Sequence, residues 1–171
     1  MNRLPLIIGA VIAVPMIVFL ALALDINHDV IESPLIGKPA PGFVLDSFEG
    51  DSIELGELEG TPLVVNFWAS YCQPCVYEHP LLTAAARDLT GSVNFVGVVP
   101  PEDTAEAVDR FTSRLGAWGP TYYDSDGRVS IAYGVGKLPE TYFVDAAGTI
   151  QHKHAGPLDP QTLATALEKI L

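Results

Sequence analysis

The sequence predicts an α/β fold with a mixed central sheet, carried behind an apolar N-terminal helix. Three observations predict it: strand, helix, strand and helix signals in succession between Leu63 and Leu115, a strand hairpin and helix signal closing the chain, and an uncharged stretch from Leu4 to Leu24. With the apolar head set aside, a chain of 171 residues has room for one domain of ordinary size with a real core.

The stretch from Leu4 to Leu24 matches the roughly 20 apolar residues that a helix needs to cross a bilayer, and exceeds the apolar region of about 7–15 residues in a removable signal. Ala21-Leu22-Ala23 resembles a cleavage site, and Pro5 and Pro15 interrupt an ideal helix, yet the length favours an uncleaved anchor. Arg3 before the span, with Asp25 and Asp29 after it, places the N-terminus in the cytoplasm and the rest on the extracytoplasmic side. The expected organisation is a signal-anchor transmembrane segment over 1–25, a tether over 26–37 containing Ser33, Pro34 and Gly37, and a folded domain over 38–171. The expected location is single-pass in the inner (cytoplasmic) membrane, with the domain in the periplasm.

Within that domain, Phe43-Val44-Leu45 and Ile53-Glu54-Leu55, separated by Gly50-Asp51, read as an opening hairpin. Leu63 to Trp68 is a nearly continuous apolar and β-branched run, the mark of a central strand covered on both faces. Val76 to Leu89 has helical spacing, with Pro74 tolerable in the first turn and Pro80 predicted to kink the helix. Val93 to Val99 is a second buried strand, and Thr104 to Leu115 a helix with Phe111 and Leu115 on one face. A short turn or helix follows at Val129 to Tyr133, then strands Thr141–Val144 and Thr149–His152 around Ala147-Gly148, and a helix from Gln161 to Leu171. Such an order gives an α/β sandwich.

Arg3 is the only basic residue before Lys38 and every acidic residue lies at or after Asp25, so the chain beyond the apolar stretch sets 8 Lys and Arg against 21 Asp and Glu, a net charge of −13. This excess argues against nucleic-acid partners, whose phosphates it repels.

Only two cysteines occur, both in Cys72-Gln73-Pro74-Cys75, so neither remains for a distant staple. A disulfide closing so short a loop constrains the unfolded chain little, which favours a redox role over an inert one. Where a central strand gives way to a helix, the first sulfur meets the helix N-terminus, whose free N–H groups and dipole favour a thiolate. A free thiol with a pKa of about 8.5 can fall to roughly 3.5–7.5 in such places, so Cys72 is the expected nucleophile. Cys75, one turn on, is the expected resolving thiol, and Pro74 stiffens the loop between them. A zinc site would require two further ligands, and no second Cys-x-x-Cys exists to supply them. His28, His79, His152 and His154 read as surface or packing residues.

The segment Asn66-Phe67-Trp68-Ala69-Ser70-Tyr71-Cys72-Gln73-Pro74-Cys75 resembles the thioredoxin active site, with Tyr71 where a tryptophan usually stands. With Leu35 to Pro41, Glu78-His79-Pro80, Gly134 to Asp145 and His154-Ala155-Gly156, the chain from about 35 to 160 is similar to the cytochrome c maturation thioredoxins, the CcmG/DsbE family. Its departures are Tyr71 and Lys137-Leu138, where family members more often carry a small residue before the proline.

The resemblance implies a thioredoxin-like three-layer sandwich and a cis-proline at Pro139 facing the disulfide. There an extended substrate peptide would pair with the loop at Leu138 and Pro139. Ordinary thioredoxins bury an acid on the strand before the motif; Asn66 holds that position here, which shifts the role to Glu78, one turn beyond Cys75. Glu140 is expected to contact partners beside the groove, with a solvent-facing side chain as the alternative, and Trp68 and Tyr71 to form an apolar rim, although a tryptophan on such a strand is more often core. Pro74 and Leu138 complete the expected substrate-binding set.

The implied activity is a thiol:disulfide oxidoreductase with no cofactor beyond its sulfur pair. It would reduce the Cys-x-x-Cys-His haem-attachment site of apocytochrome c or a haem-ligation thiol partner, and be recharged by a membrane thiol electron donor. An oxidase or a general extracytoplasmic thioredoxin-like reductase is the nearest alternative, since the residues do not set the direction of electron flow. A copper metallochaperone would typically space its cysteines by three residues with a downstream histidine, and here the spacing is two. A thiol peroxidase, suggested by Gly37-Lys38-Pro39-Ala40-Pro41, would need Pro-x-x-x-Thr-x-x-Cys, which neither cysteine has.

Overall fold

The computed structural model describes residues 13–20 and 33–171. Residues 13–20 form α-helix, and no helix among the described residues is long and apolar enough to cross a membrane. The rest of the expected span and most of the tether, 1–12 and 21–32, lie outside the described residues.

The unit from Ser33 to Leu171 opens with strands β1 (Val44–Ser47) and β2 (Ser52–Glu54), paired antiparallel around a turn. There the Ser47 hydroxyl accepts from the N–H groups of Glu49 and Asp51, while Gly50 takes a left-handed φ of 97°. A 3₁₀ turn at Leu55–Leu58 leads into β3 (Leu63–Phe67), α1 (Gln73–Asp88), β4 (Asn94–Val99) and α2 (Ala105–Leu115). Then come β5 (Thr121–Tyr123), α3 (Arg128–Tyr133), β6 (Glu140–Val144), β7 (Ile150–Ala155) and α4 (Pro160–Leu167).

Seven strands share one sheet in the order β2-β1-β5-β4-β3-β6-β7. The β3–β4 and β4–β5 pairs are parallel and the others antiparallel, so the sheet is mixed as the sequence predicts. Every residue of β3 is buried, because alternate side chains enter opposite cores. Val64 joins Cys75 and Leu82 of α1, Val108 and Phe111 of α2 and Leu163 of α4 on one face. Leu63, Val65 and Phe67 join Val129 and Tyr133 of α3, Tyr142 and the opening strands on the other. This is a three-layer arrangement.

Strand β5 adds to the expected elements and the last helix is shorter than expected, while α1 holds Pro80 within it as expected. Strand β5 escapes a pattern reading because Thr121-Tyr122-Tyr123 is too short to show alternation, yet it joins the opening hairpin to the main sheet by pairing with both β1 and β4. Helix α1 runs on through Pro80 to Asp88. The last helix ends at Leu167, with Ile170 turned back into the core.

Candidate active site

Strand β3 delivers the chain to the site. The buried run continues through Trp68 and Ala69, and the Cys72 N–H then closes a turn onto the Ala69 carbonyl at 3.1 Å. Cys72 is the N-cap of α1, and its Sγ accepts the Cys75 N–H at 3.2 Å, a backbone donor aimed at the sulfur. Pro74 falls in the first turn, where its missing N–H leaves no helical bond unmade. Cys72 and Cys75 are joined as a disulfide with Cα atoms 5.3 Å apart. Both cysteines are buried, Cys72 at 7% and Cys75 at 3% exposure.

Asp103, which the sequence reading passes over, holds this turn from outside. Its buried carboxylate accepts the Ser70 N–H at 2.6 Å, the Ser70 hydroxyl at 2.7 Å and the Thr104 N–H at 2.9 Å. It thereby ties the start of α2 to the residues just before Cys72. The only local signal is an aspartate preceding a helix N-terminus, which points forward to Thr104 and not back to Ser70.

Glu78 is buried one turn beyond Cys75 on α1. Its Oε1 accepts from Asn66 Nδ2 at 2.9 Å and its Oε2 from the Leu158 N–H at 2.8 Å. Asn66 also donates to Thr141 Oγ1 at 2.9 Å, so one polar network spans β3, α1, β6 and the approach to α4. Burial pushes the Glu78 carboxyl up to about 7, and the bonds from Leu158 and Asn66 only partly oppose it. The group therefore changes charge near neutrality, where a thiol must release its proton to react.

The Leu138–Pro139 peptide bond is cis, as the resemblance implies. The register pairs Phe67 with Glu140, which sets Pro139 at the end of β3 where the sulfur-bearing turn departs. Pro139 is buried and its carbonyl accepts from the Gly156 N–H, while half-buried Leu138 packs against both cores. Tyr71 is 62% exposed and Pro74 is exposed, both available at the surface beside Cys72.

Two expected surface contacts are corrected. Trp68 is only 2% exposed: it lies in the core with ring centroids 4.8 Å from Phe111 and 6.5 Å from His79, because the covered β3 run extends through it. Glu140 faces neither solvent nor a groove. It is 3% exposed, and its carboxylate meets Lys153 Nζ at 2.8 Å, the Gly136 N–H at 3.3 Å and the Tyr142 hydroxyl at 3.4 Å. His79 packs in the core, its Nε2 2.6 Å from the Gly116 carbonyl, and burial lowers its pKa. Among the described residues, no group of three or more His, Cys, Asp or Glu side chains is placed to hold a metal ion.

A disulfide capping a helix at the end of a central strand, next to a cis-proline, defines a thiol:disulfide oxidoreductase of thioredoxin-like fold. Residues 36–153 match the AhpC/TSA family. The thiol:disulfide interchange protein DsbE of Allochromatium vinosum is 35% identical over 166 residues, covering 92% of this chain and 91% of the relative. The DsbE of Escherichia coli K12 is 30% identical over 165 residues, 88% of each chain. Among solved structures, a secreted Mycobacterium tuberculosis disulfide oxidoreductase homologous to E. coli DsbE superposes with a TM-score of 0.66 at 25% identity, over 74% of this chain and 94% of that one. StoA of Bacillus subtilis shares the fold at a TM-score of 0.64 and 23% identity, over 78% and 99% of the two chains. The chain belongs to the AhpC/TSA family and, within it, to the DsbE thiol:disulfide interchange proteins.

Proposed function

We propose that this protein is a membrane-tethered, extracytoplasmic disulfide reductase that keeps the haem-attachment cysteines of apocytochrome c, or of a haem-ligation thiol partner, in the dithiol state. The observation that carries the reading is the Cys72–Cys75 disulfide at the N-terminus of α1, with Cys72 at the N-cap and its Sγ accepting the Cys75 N–H. The kinship with DsbE proteins supports the substrate class, and the uncharged stretch from Leu4 to Leu24 supports the tether.

In the reduced protein, the Cys72 thiolate attacks one sulfur of the partner's disulfide. A bond forms between Cys72 Sγ and that sulfur, and the partner's other sulfur leaves as a thiolate. The Cys75 thiolate then attacks Cys72 Sγ, the mixed disulfide breaks, and the partner departs as a dithiol with both electrons of the pair. Glu78, ionising near 7 on the same helix face, is the group to take up the Cys75 proton before the second step. The approaching peptide lies beside Leu138 and the cis-proline that follows it. A membrane thiol donor then restores the dithiol.

The Cys75→Ser protein, mixed with an oxidised Cys-x-x-Cys-His peptide, is expected to accumulate a mixed disulfide through Cys72, and the Cys72→Ser protein none. An adduct formed through Cys75 reverses the assigned roles. A reduction potential near about −120 mV, that of a strong periplasmic oxidant, overturns the reductase direction.

A further inference from the structure

Beside the sulfur-bearing turn lies an open groove of about 500 Å³, lined by Ser70, Tyr71, Ala107, Arg110, Phe111 and Arg114. We propose that this groove is a carboxylate-binding subsite, which selects partner polypeptides carrying an acidic side chain close to the cysteine under exchange. The inference rests on the disulfide-exchange reading above and adds to it the charge of the partner segment.

The placement follows from the helix. Ala107, Arg110, Phe111 and Arg114 stand three and four residues apart, so they form one stripe along α2 facing the Ser70-Tyr71 turn. Phe111 is buried and gives the groove an apolar floor, while both guanidinium groups are exposed at its side. Tyr71 forms the opposite wall, and its neighbour in the chain is Cys72.

The charge distribution makes this place unlike the rest of the surface. The chain beyond the apolar stretch carries 21 acidic against 8 basic residues. Among the described residues Arg87, Arg128 and Lys153 pair with Asp88, Asp126 and Glu140, whereas Arg110 and Arg114, like Lys38, Lys137 and Lys169, have no carboxylate within salt-bridge distance; what sets the two arginines apart is that they stand one turn apart on α2 and line one groove. Asp103 lies beneath the turn with its oxygens occupied by Ser70 and Thr104. Asp109, on the same helix, lines a different groove with Thr112 and Thr121. Burial, then Glu102 and Asp103, raise the Tyr71 pKa, so its phenol stays protonated as a donor.

Two planar guanidinium groups one turn apart match the oxygens of carboxylates, and the apolar floor takes the methylenes that carry them. An extended strand rises about 3.3 Å per residue, so an acid within about three residues of the partner's cysteine reaches the groove while Cys72 meets the sulfur.

The test uses the full-length reduced protein in detergent and disulfide peptides of equal length that differ only at the flanking positions, with Glu, Gln or Lys. The domain's overall charge by itself favours the Lys peptide; the subsite reverses that order. The Glu peptide is expected to react about three- to tenfold faster than the Lys peptide at low salt. The advantage should shrink toward one at about 1 M salt. The double variant Arg110→Gln/Arg114→Gln should bring the ratio to one or below, and Arg110→Glu/Arg114→Glu should invert it. A wild-type ratio at or below one, or a preference for Glu that both double variants retain, overturns the subsite. Failure to exchange with any peptide, or with uncharged 2-hydroxyethyl disulfide, overturns the exchange reading itself.

Discussion

Two carboxylates are buried near the cis-proline and the sulfur pair, on opposite faces of the sheet, and they are neutralised in different ways. Glu140 shares the α3 face with Tyr142 and has a cation, Lys153, whose ammonium also lies 3.3 Å from the Gly134 carbonyl and 5.2 Å from the centre of the Tyr142 ring. Glu78 lies on the α1 face and meets only neutral donors, Asn66 and the Leu158 N–H. The Lys153 ammonium compensates the Glu140 charge in place, whereas Glu78 has no cation beside it and burial pushes its carboxyl up to about 7. The first is suited to architecture and the second to chemistry at a sulfur that must also gain and lose a proton.

The largest effect should come from breaking the architectural pair. Replacing Lys153 with Met leaves the Glu140 carboxylate buried without its counter-charge, which is expected to cost about 3–5 kcal/mol of unfolding free energy. Adding Glu140→Gln should recover most of that loss, because the uncompensated charge is what costs. Urea unfolding of the wild type, both single variants and the double variant at pH 7 checks this. A loss below about 1 kcal/mol for Lys153→Met would class the pair with exposed ion pairs and erase the contrast.

The second effect is a pH dependence. Glu78 has a folded pKa of about 7, above its ordinary value of 4.5. Between those values the folded protein keeps a proton that the unfolded chain has released, so folding stability falls as pH rises through that window. By pH 8 about 3 kcal/mol is lost relative to acid conditions. Glu78→Gln should remove this slope. His79 and His152, whose pKa values burial lowers, act in the opposite sense and lose stability in acid, but both variants retain them. The difference between wild-type and Glu78→Gln curves for the oxidised protein, whose cysteines do not titrate, therefore isolates the carboxylate. A flat difference between pH 4.5 and 8 would falsify the proton-exchanging role.

The contrast was only half legible in the sequence. The Leu63–Trp68 run, the cysteine pair at its end and the helix after it follow from periodicity and from the need of a thiolate for a helix N-terminus. Glu78 stands out because Asn66 occupies the position where an acid is usual, and the structure joins the two side chains directly. Glu140 was misplaced although a signal existed. Strand alternation puts it on the same face as Tyr142 and Val144, both fully covered, and Lys153 opposite Tyr142 is its diagonal neighbour. Asp103 had no such signal, since its contact with Ser70 crosses from one loop to another and leaves no period to read. The cis bond before Pro139 came from family resemblance alone, because local sequence does not separate the two isomers.

The smallest effect probes the chemical face by itself. Thr141 stands opposite Asn66 in the β3–β6 register, and its hydroxyl accepts one of the amide's N–H groups while Glu78 accepts another. Thr141→Val keeps the shape and strands that N–H in the core, at an expected cost of about 1–2 kcal/mol. Freed of its second anchor, Asn66 holds the Glu78 carboxylate less firmly, so the pH window of the Glu78 slope should move upward. The coupling between Glu140 and Lys153, measured in the Thr141→Val background, should stay within about 0.5 kcal/mol of its original value, because the pair lies across the sheet and shares no hydrogen bond with Thr141. A larger change would mean that the two carboxylates sense one another through β6, and that the division between a structural face and a reactive face does not hold.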